Sequence, residues 1–311
     1  MVKGVSFKAA RGGVRLDAAL VAAFPSVPRS FAREAIALGA VTVDGKKALK
    51  GLKLKGGETI AVAEMLEAAD NKVAPDPAVD VDCVFCDESL LAFDKPAGMK
   101  VQPLSCRETG TLANGVAARW PECVAIGDRP LMAGALHRID AGTSGLVVFA
   151  RTAAAFSDLR AQFAAHAVEK KYLALVEGKV EHEGVIECDL VHEGGLPFCK
   201  MADLRRARAP VPGEKPMHAV TSYRPIAHRK VECEELTLLE VVIFTGVTHQ
   251  IRAQLAMEGM HIVNDTLYGA FAVENEIGHR LHALSATFTH PATGKKTTIS
   301  TPVPSWAKLP M

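Results

Sequence analysis

The chain has 311 residues, a formal charge of +1, 49% hydrophobic and 23% charged side chains. That length suits two domains, and that composition excludes a disordered chain. Apolar runs such as LVVFA and LEVVIF are too short for the roughly 20 residues that cross a bilayer. The N-terminus MVKGVSFKAARGG lacks the apolar core of a secretion signal, so a cytoplasmic protein is expected.

The small net charge hides an asymmetry. Residues 1–64 carry 11 Lys and Arg against 5 Asp and Glu, and the remainder 25 against 30. A basic front module on a mildly acidic body suits a polyanionic partner, although a solvated surface gives the same count.

Residues 14–62 read as one compact unit. VRLDAALVAAF places Leu16, Leu20, Ala23 and Phe24 at helical spacing, and after Pro25 and Pro28 a second helix, RSFAREAIALG, stops at Gly39. AVTVDGKKAL then alternates like a strand and turns at Asp44-Gly45, and ETIAVA supplies a further strand. Arg29 and Arg33 fall four apart on one helix face, where they could straddle a phosphate backbone. This order of elements, with Arg15, Asp17, Leu20, Arg29, Arg33, Gly39, Val41, Val43 and Gly45, resembles the αL RNA-binding module of ribosomal small-subunit protein four and its relatives. Residues 1–64 are therefore expected to form an αL-type RNA-binding domain, 65–80 a proline-containing linker, and 81–311 a catalytic domain.

Strand candidates dominate beyond the linker: DCVF, SLLAFDK, GLVVFA, KKYLALVEG, GVIECDL, HAVTSYRPI, LTLLEVVIFTG and LHALSATFTH. The main helices are 152–166 and 248–258. Strands that outnumber helices without alternating with them predict an α+β fold with a mixed, largely antiparallel sheet. Of seven cysteines only Cys83 and Cys86 form a CxxC, and no second pair completes a zinc set, so reduced thiols and no metal are expected.

The segment HRIDAGTSGLVVFART, residues 137–152, sets His, Arg and Asp and then Gly-Thr-Ser-Gly on a turn before an apolar strand. Such a turn can expose a carboxylate while supporting it rigidly; a turn with a capping Asp fits the same residues. A serine-hydrolase elbow fails because Leu146 stands where Gly is required. A kinase loop fails because Ile139 separates Arg138 from Asp140, and a P-loop fails because Thr289 occupies its first Gly position.

The segment is similar to the signature of the RluA-type pseudouridine synthases, His-Arg-Leu-Asp-x-x-Thr-Ser-Gly-Leu. Further blocks follow in that family's order: DESLLAFDKPAGMKVQP (87–103), EKKYLALVEG (169–178), KPMHAVTSYRPI (215–226), LTLLEVVIFTGVTHQIRAQLA (236–256), NDTLYG (264–269) and HRLHALSATFTHP (279–291). The resemblance implies cofactor-free isomerisation of uridine in structured RNA, with large-subunit ribosomal RNA as the first candidate and transfer RNA as the second. Asp140 would attack the ribose or take a proton from it. Arg252 would be its ion-pair partner, gripping the carboxylate at two points. Tyr172 would pack on the base and is the candidate for the final proton removal. Arg138 would fill the space left by the extruded uridine. Lys95, Arg15, Arg29 and Arg33 are candidate RNA contacts, and His137 and His249 are read as orienting groups. His279 and His282 are expected on opposite faces of a strand, and so not as metal ligands.

The chain departs from the family at Val247 in place of an Arg, Gln254 in place of a common His, His261 in place of Pro and Asn264 in place of Gly. These changes keep a second class in view, an RNA-binding or ribosome-assembly protein without turnover. A two-carboxylate glycoside hydrolase lacks an evident partner for Asp140. A monomer is expected, since no pairing segment stands out.

Overall fold

The computed structural model describes residues 1–194, 200–231 and 234–308; Cys199 and Cys233 lie outside them. The chain divides into two compact units, residues 1–72 with 105–107, and the remainder.

In the first unit, β1 (Val2–Lys8), α1 (Leu16–Ala23), α2 (Arg29–Leu38), β2 (Val41–Val43), β3 (Lys46–Lys47) and β4 (Thr59–Met65) form two helices and a four-stranded sheet of order β1-β4-β2-β3. Leu16, Leu20, Ala32 and Ile36 of the helices and Ile60 and Val62 of the sheet build its core. Gly39 ends α2 in the left-handed region at φ 77°, where its N–H reaches back to Ile36. The N-terminal β1 has no counterpart among the expected elements. It pairs along the edge of β4, and its mostly exposed side chains give no apolar alternation to read.

The second unit is built on β5 (Asp82–Cys86), β6 (Leu90–Lys95), α3 (Leu112–Arg119), β7 (Ser144–Ala150), α4 (Ala153–Ala164), β8 (Glu169–Glu177), β9 (Gly184–Glu193), β10 (Lys200–Asp203), β11 (Met217–Val231), β12 (Glu234–Ile243), α5 (Gln250–Met257), β13 (Leu281–Thr289) and β14 (Lys296–Ser300). Nine strands run in the order β10-β9-β11-β12-β8-β13-β7-β6-β5, and β14 pairs with β13. Among the described residues only β7 and β13 pair in parallel, so the sheet is mixed and largely antiparallel as expected. Strands β6 and β7 read as continuous apolar runs because both their faces are buried. Leu90, Ala92, Leu146 and Val148 face a core shared with Phe156 and Leu159 of α4. Leu91, Phe93, Val147 and Phe149 face the opposite core, with Leu112 and Val116 of α3.

The expected linker, residues 65–80, is anchored at a few buried positions. Met65 belongs to the first core, and the buried Val73 joins the core under α3. Its side chains are small enough to hide the apolar anchors from a compositional reading.

Candidate active site

Asp140 stands on the turn that leads into β7, and each carbonyl of that turn is taken. Thr143 donates its N–H to the Asp140 carbonyl (3.1 Å), Gly98 donates to Ala141 (2.7 Å), and His279 donates to Gly142 (3.2 Å). Lys95 adds an ammonium bond to the Ala141 carbonyl at 3.2 Å. Below the turn, Gly145 has φ 107°, and a Cβ there would lie 2.3 Å from the Ala283 carbonyl. Only glycine permits that approach of β7 to β13.

The signature's polar side chains do supporting work. Thr143 Oγ1 lies 2.7 Å from His279 Nε2, and Ser144 Oγ lies 2.9 Å from His282 Nδ1, whose other nitrogen is 2.9 Å from Thr301 Oγ1. Burial pushes both histidines down to about 4, so they act as neutral hydrogen-bonding groups. His279 precedes β13 instead of lying within it, and both rings serve consecutive signature residues. No group of three or more metal-ligating side chains occurs among the described residues. His137 accepts the Val148 N–H (3.1 Å) and stacks on Phe163, which fixes the start of the turn; burial holds it at about 3.

A charged chain carries the site. Asp140 is 28% exposed, and its Oδ2 accepts from Arg252 Nη1 at 2.7 Å. Its Oδ1 has no partner among the described residues. Arg252, buried on α5, turns its two-point grip on a different carboxylate, Asp265, at 2.6 and 2.7 Å, while the Tyr268 ring packs against the guanidinium at 5.2 Å. The expected two-point hold on Asp140 is thus a single bond, because the fork of Arg252 is already filled. Burial works against the Arg252 charge, but Asp265 and Asp140 more than offset it and raise its pKa. Asp265 lies in the NDTLYG block and was not among the expected site residues; a lone Asp thirteen positions from Arg252 gives no sequence signal of this pairing.

His249, held at φ 52° before α5, points Nδ1 at the Tyr268 hydroxyl (3.1 Å) and Nε2 toward Asp140 Oδ2 (3.8 Å). Burial lowers its pKa in spite of the nearby Asp140. Gln250 fastens this segment by accepting from Thr245 Oγ1 (2.9 Å) and donating to the Val220 carbonyl (3.0 Å).

These groups border a cleft of about 370 Å³, partly open to solvent, which Arg138, Asp140, Tyr172, Val247, His249 and Arg252 help to line. Tyr172 comes from β8 and is 8% exposed; burial, reinforced by Asp140, raises its hydroxyl pKa. Arg138 is exposed and bonds to nothing among the described residues.

Lys95 does not fit its expected role as an RNA contact. It is fully buried, and its three N–H groups are taken by the Pro96 (2.8 Å), Met99 (2.7 Å) and Ala141 carbonyls. Burial lowers its pKa to about 8. In the first unit Arg15, Arg29 and Arg33 converge on the buried Asp17, each donating Nε at 2.9–3.0 Å. A carboxylate occupies the space between Arg29 and Arg33, so the pair does not straddle an open gap. All three guanidinium side chains remain about half exposed, and the terminal nitrogens of Arg29 and Arg33 bond nothing among the described residues.

The departures also have local reasons. Asn264 adopts φ 65°, a conformation in which glycine is easiest and Asn next best. Gln254 is fully buried and bonds Thr221 Oγ1 (2.5 Å) and the Ala219 carbonyl (2.9 Å), tying α5 to β11. Val247 is partly buried and packs against the cluster that contains Ala219, Ala253 and Tyr268.

A turn-held aspartate paired with a buried arginine, in a cleft that a tyrosine of β8 also lines, is the arrangement that the RluA resemblance implies. The RNA pseudouridylate synthase family matches residues 89–257, and the S4 domain matches 14–60. The chain belongs to the RNA pseudouridylate synthase family and carries an N-terminal S4 domain. It is 33% identical over 305 residues to a ribosomal large subunit pseudouridine synthase D of Xanthomonas campestris pv. campestris, covering 94% of this chain and 86% of that one. An uncharacterized RNA pseudouridine synthase of Bacillus subtilis is 30% identical over 293 residues, covering 93% and 90%. Among solved structures, human RNA pseudouridylate synthase domain containing 1 shares the fold, with a TM-score of 0.59 and 22% identity over 75% of this chain and 87% of that one.

Proposed function

We propose that this pseudouridine synthase isomerises uridine in large-subunit ribosomal RNA, with Asp140 as the group that acts on the ribose. The observation that carries the assignment is the Asp140 carboxylate itself. It reaches the cleft from a turn whose carbonyls are all tied, Arg252 occupies Oδ2, and Oδ1 is left free for the substrate. The ribosomal target is supported by the names of the relatives and by the S4 domain. A ribosomal substrate supports a cytoplasmic location.

Tyr172 forms the apolar wall against which the extruded base packs, a contact worth ~1–3 kcal/mol. Its raised pKa keeps the phenol protonated, which makes it a poor final base. Arg138 enters the space that the uridine leaves. Arg29 and Arg33 offer their free nitrogens to backbone phosphates, and Asp17 holds those guanidiniums in place; Arg15 completes the cluster.

The test is tritium release from ribosomal RNA labelled at uracil carbon-5, beside a transfer-RNA pool and an Asp140→Asn variant. Release from ribosomal RNA by the unaltered enzyme alone is expected. Release from transfer RNA only would replace the target, and release by Asp140→Asn would remove Asp140 from its role.

A further inference from the structure

Residues 271–277 form a loop whose two ends are fastened to the catalytic machinery. At one end, Ala270 donates its N–H to the Asp265 carbonyl (3.2 Å), and Asp265 holds Arg252. At the other end, Gly278 has φ 77° and sits so close to the Asp140 turn that a Cβ there would lie 2.3 Å from the Gly142 carbonyl. Asn264 binds the loop from within: Val273 donates to its Oδ1 (2.8 Å), and its amide donates to the carbonyls of Gly278 and Glu276. The loop is therefore held in shape beside the Asp140 turn.

What it presents is apolar. Phe271 is 82% exposed and Ile277 75%, and they follow and precede the two anchored ends. Each is one residue from an anchor, so neither can move far from it. Ile277 also approaches the Lys-Pro-x-Gly turn, since a Cβ on Gly98 would meet its Cγ2 at 2.7 Å. Glu274 and Glu276 on the same loop disfavour a phosphate. Scattered exposed apolar residues need no explanation, but two on a braced loop beside the turn that carries Asp140 do.

We infer that Phe271 and Ile277 form a platform for an unpaired base next to the target uridine. The inference rests on the reading that a uridine ribose reaches Asp140. When that base leaves the stack, its neighbours lose a stacking partner while their backbone must still pass the Asp140 turn. An exposed ring and an aliphatic side chain meet that need without sequence preference.

The experiment measures tritium release and filter binding on an unmodified large-subunit ribosomal RNA transcript. The proteins are the unaltered enzyme, Phe271→Ala, Phe271→Tyr and Ile277→Ala, with each loop variant also made in an Asp140→Asn background. Both side chains are largely exposed, so the substitutions leave the core intact. Phe271→Ala is expected to raise KM and the dissociation constant about tenfold, to leave kcat within about twofold, and to be rescued by Phe271→Tyr. Equal KM and equal binding in all variants would overturn the platform. So would a fall in kcat alone, which would mean that the loop merely braces the turn. A dimer seen by sedimentation and dissolved by Phe271→Ala would assign the patch to self-association instead. Absence of release from this RNA by the unaltered enzyme would defeat the ribosomal target. The platform would then stand if Phe271→Ala still weakened binding about tenfold, and fall if it did not.

Discussion

Arg252 is held by Asp265 through two hydrogen bonds and reaches Asp140 through one, so the catalytic carboxylate depends on a carboxylate behind it. Of the two, Asp265 is the deeper, at 2% exposed against 28%. The direction of dependence follows from that difference: the buried ion pair aims the guanidinium, and the exposed carboxylate uses its remaining N–H.

Asp265→Asn is therefore expected to damage both folding and turnover. The substitution leaves the buried guanidinium with Asp140 as its one carboxylate among the described residues, and breaking a buried ion pair costs up to about 3–5 kcal/mol. Urea unfolding should show that loss, and tritium release should fall with it. Full activity in a destabilised Asp265→Asn protein would show that Asp140 needs no aimed arginine.

Lys95 predicts a pH dependence with opposite signs for activity and stability. In the folded chain it gives up its proton near pH 8, and its ordinary value is 10.5. Between those values the unfolded chain binds more protons, so the stability set by this group rises as pH rises from about 8 to 10.5. Over the same range the ammonium that pulls on the Ala141 carbonyl loses its charge, and kcat should fall with a midpoint near 8. Lys95→Met should lack both limbs, and a profile identical to that of the unaltered enzyme would sink the assignment.

The arginine cluster of the first unit makes a prediction about salt. If Arg29 and Arg33 each neutralise one phosphate, then Arg29→Ala or Arg33→Ala lowers the slope of log affinity against log salt by about 1, alike for all RNA sequences. Filter binding at several salt concentrations measures this. An unchanged slope would mean that Asp17 fully satisfies both groups.

How much could be read beforehand depended on whether the signal was local. The turn at 137–145 and the strand after it were legible because Gly, Thr and Ser bound a run of apolar residues buried on both faces. The pairing of Asp140 with Arg252 came with the family motif, and no spacing contains it. Asp265 was missed because its partner lies on another element and one Asp in a polar block resembles any loop carboxylate. Lys95 was misplaced because a lysine before a proline reads as exposed, while its burial depends on three carbonyls that converge only in the folded chain. Strands β10 and β14 are short, four and five residues, which leaves little alternation to read.

Tyr172 separates two accounts of the last proton transfer. General-base catalysis is worth about 10²–10⁴-fold, so a tyrosine that removes the carbon-5 proton would lose that much when its hydroxyl is deleted. The hydroxyl here is protonated and pushed upward by burial and by Asp140, which favours the ring as a packing surface. Tyr172→Phe should then keep kcat within about tenfold, and Tyr172→Ala should lose more because the wall itself is gone. The measurement is single-turnover tritium release, which isolates chemistry from product release. A drop of more than about a hundredfold in Tyr172→Phe would return the tyrosine to the role of base; retention in both variants would leave neither ring nor hydroxyl a part in the reaction.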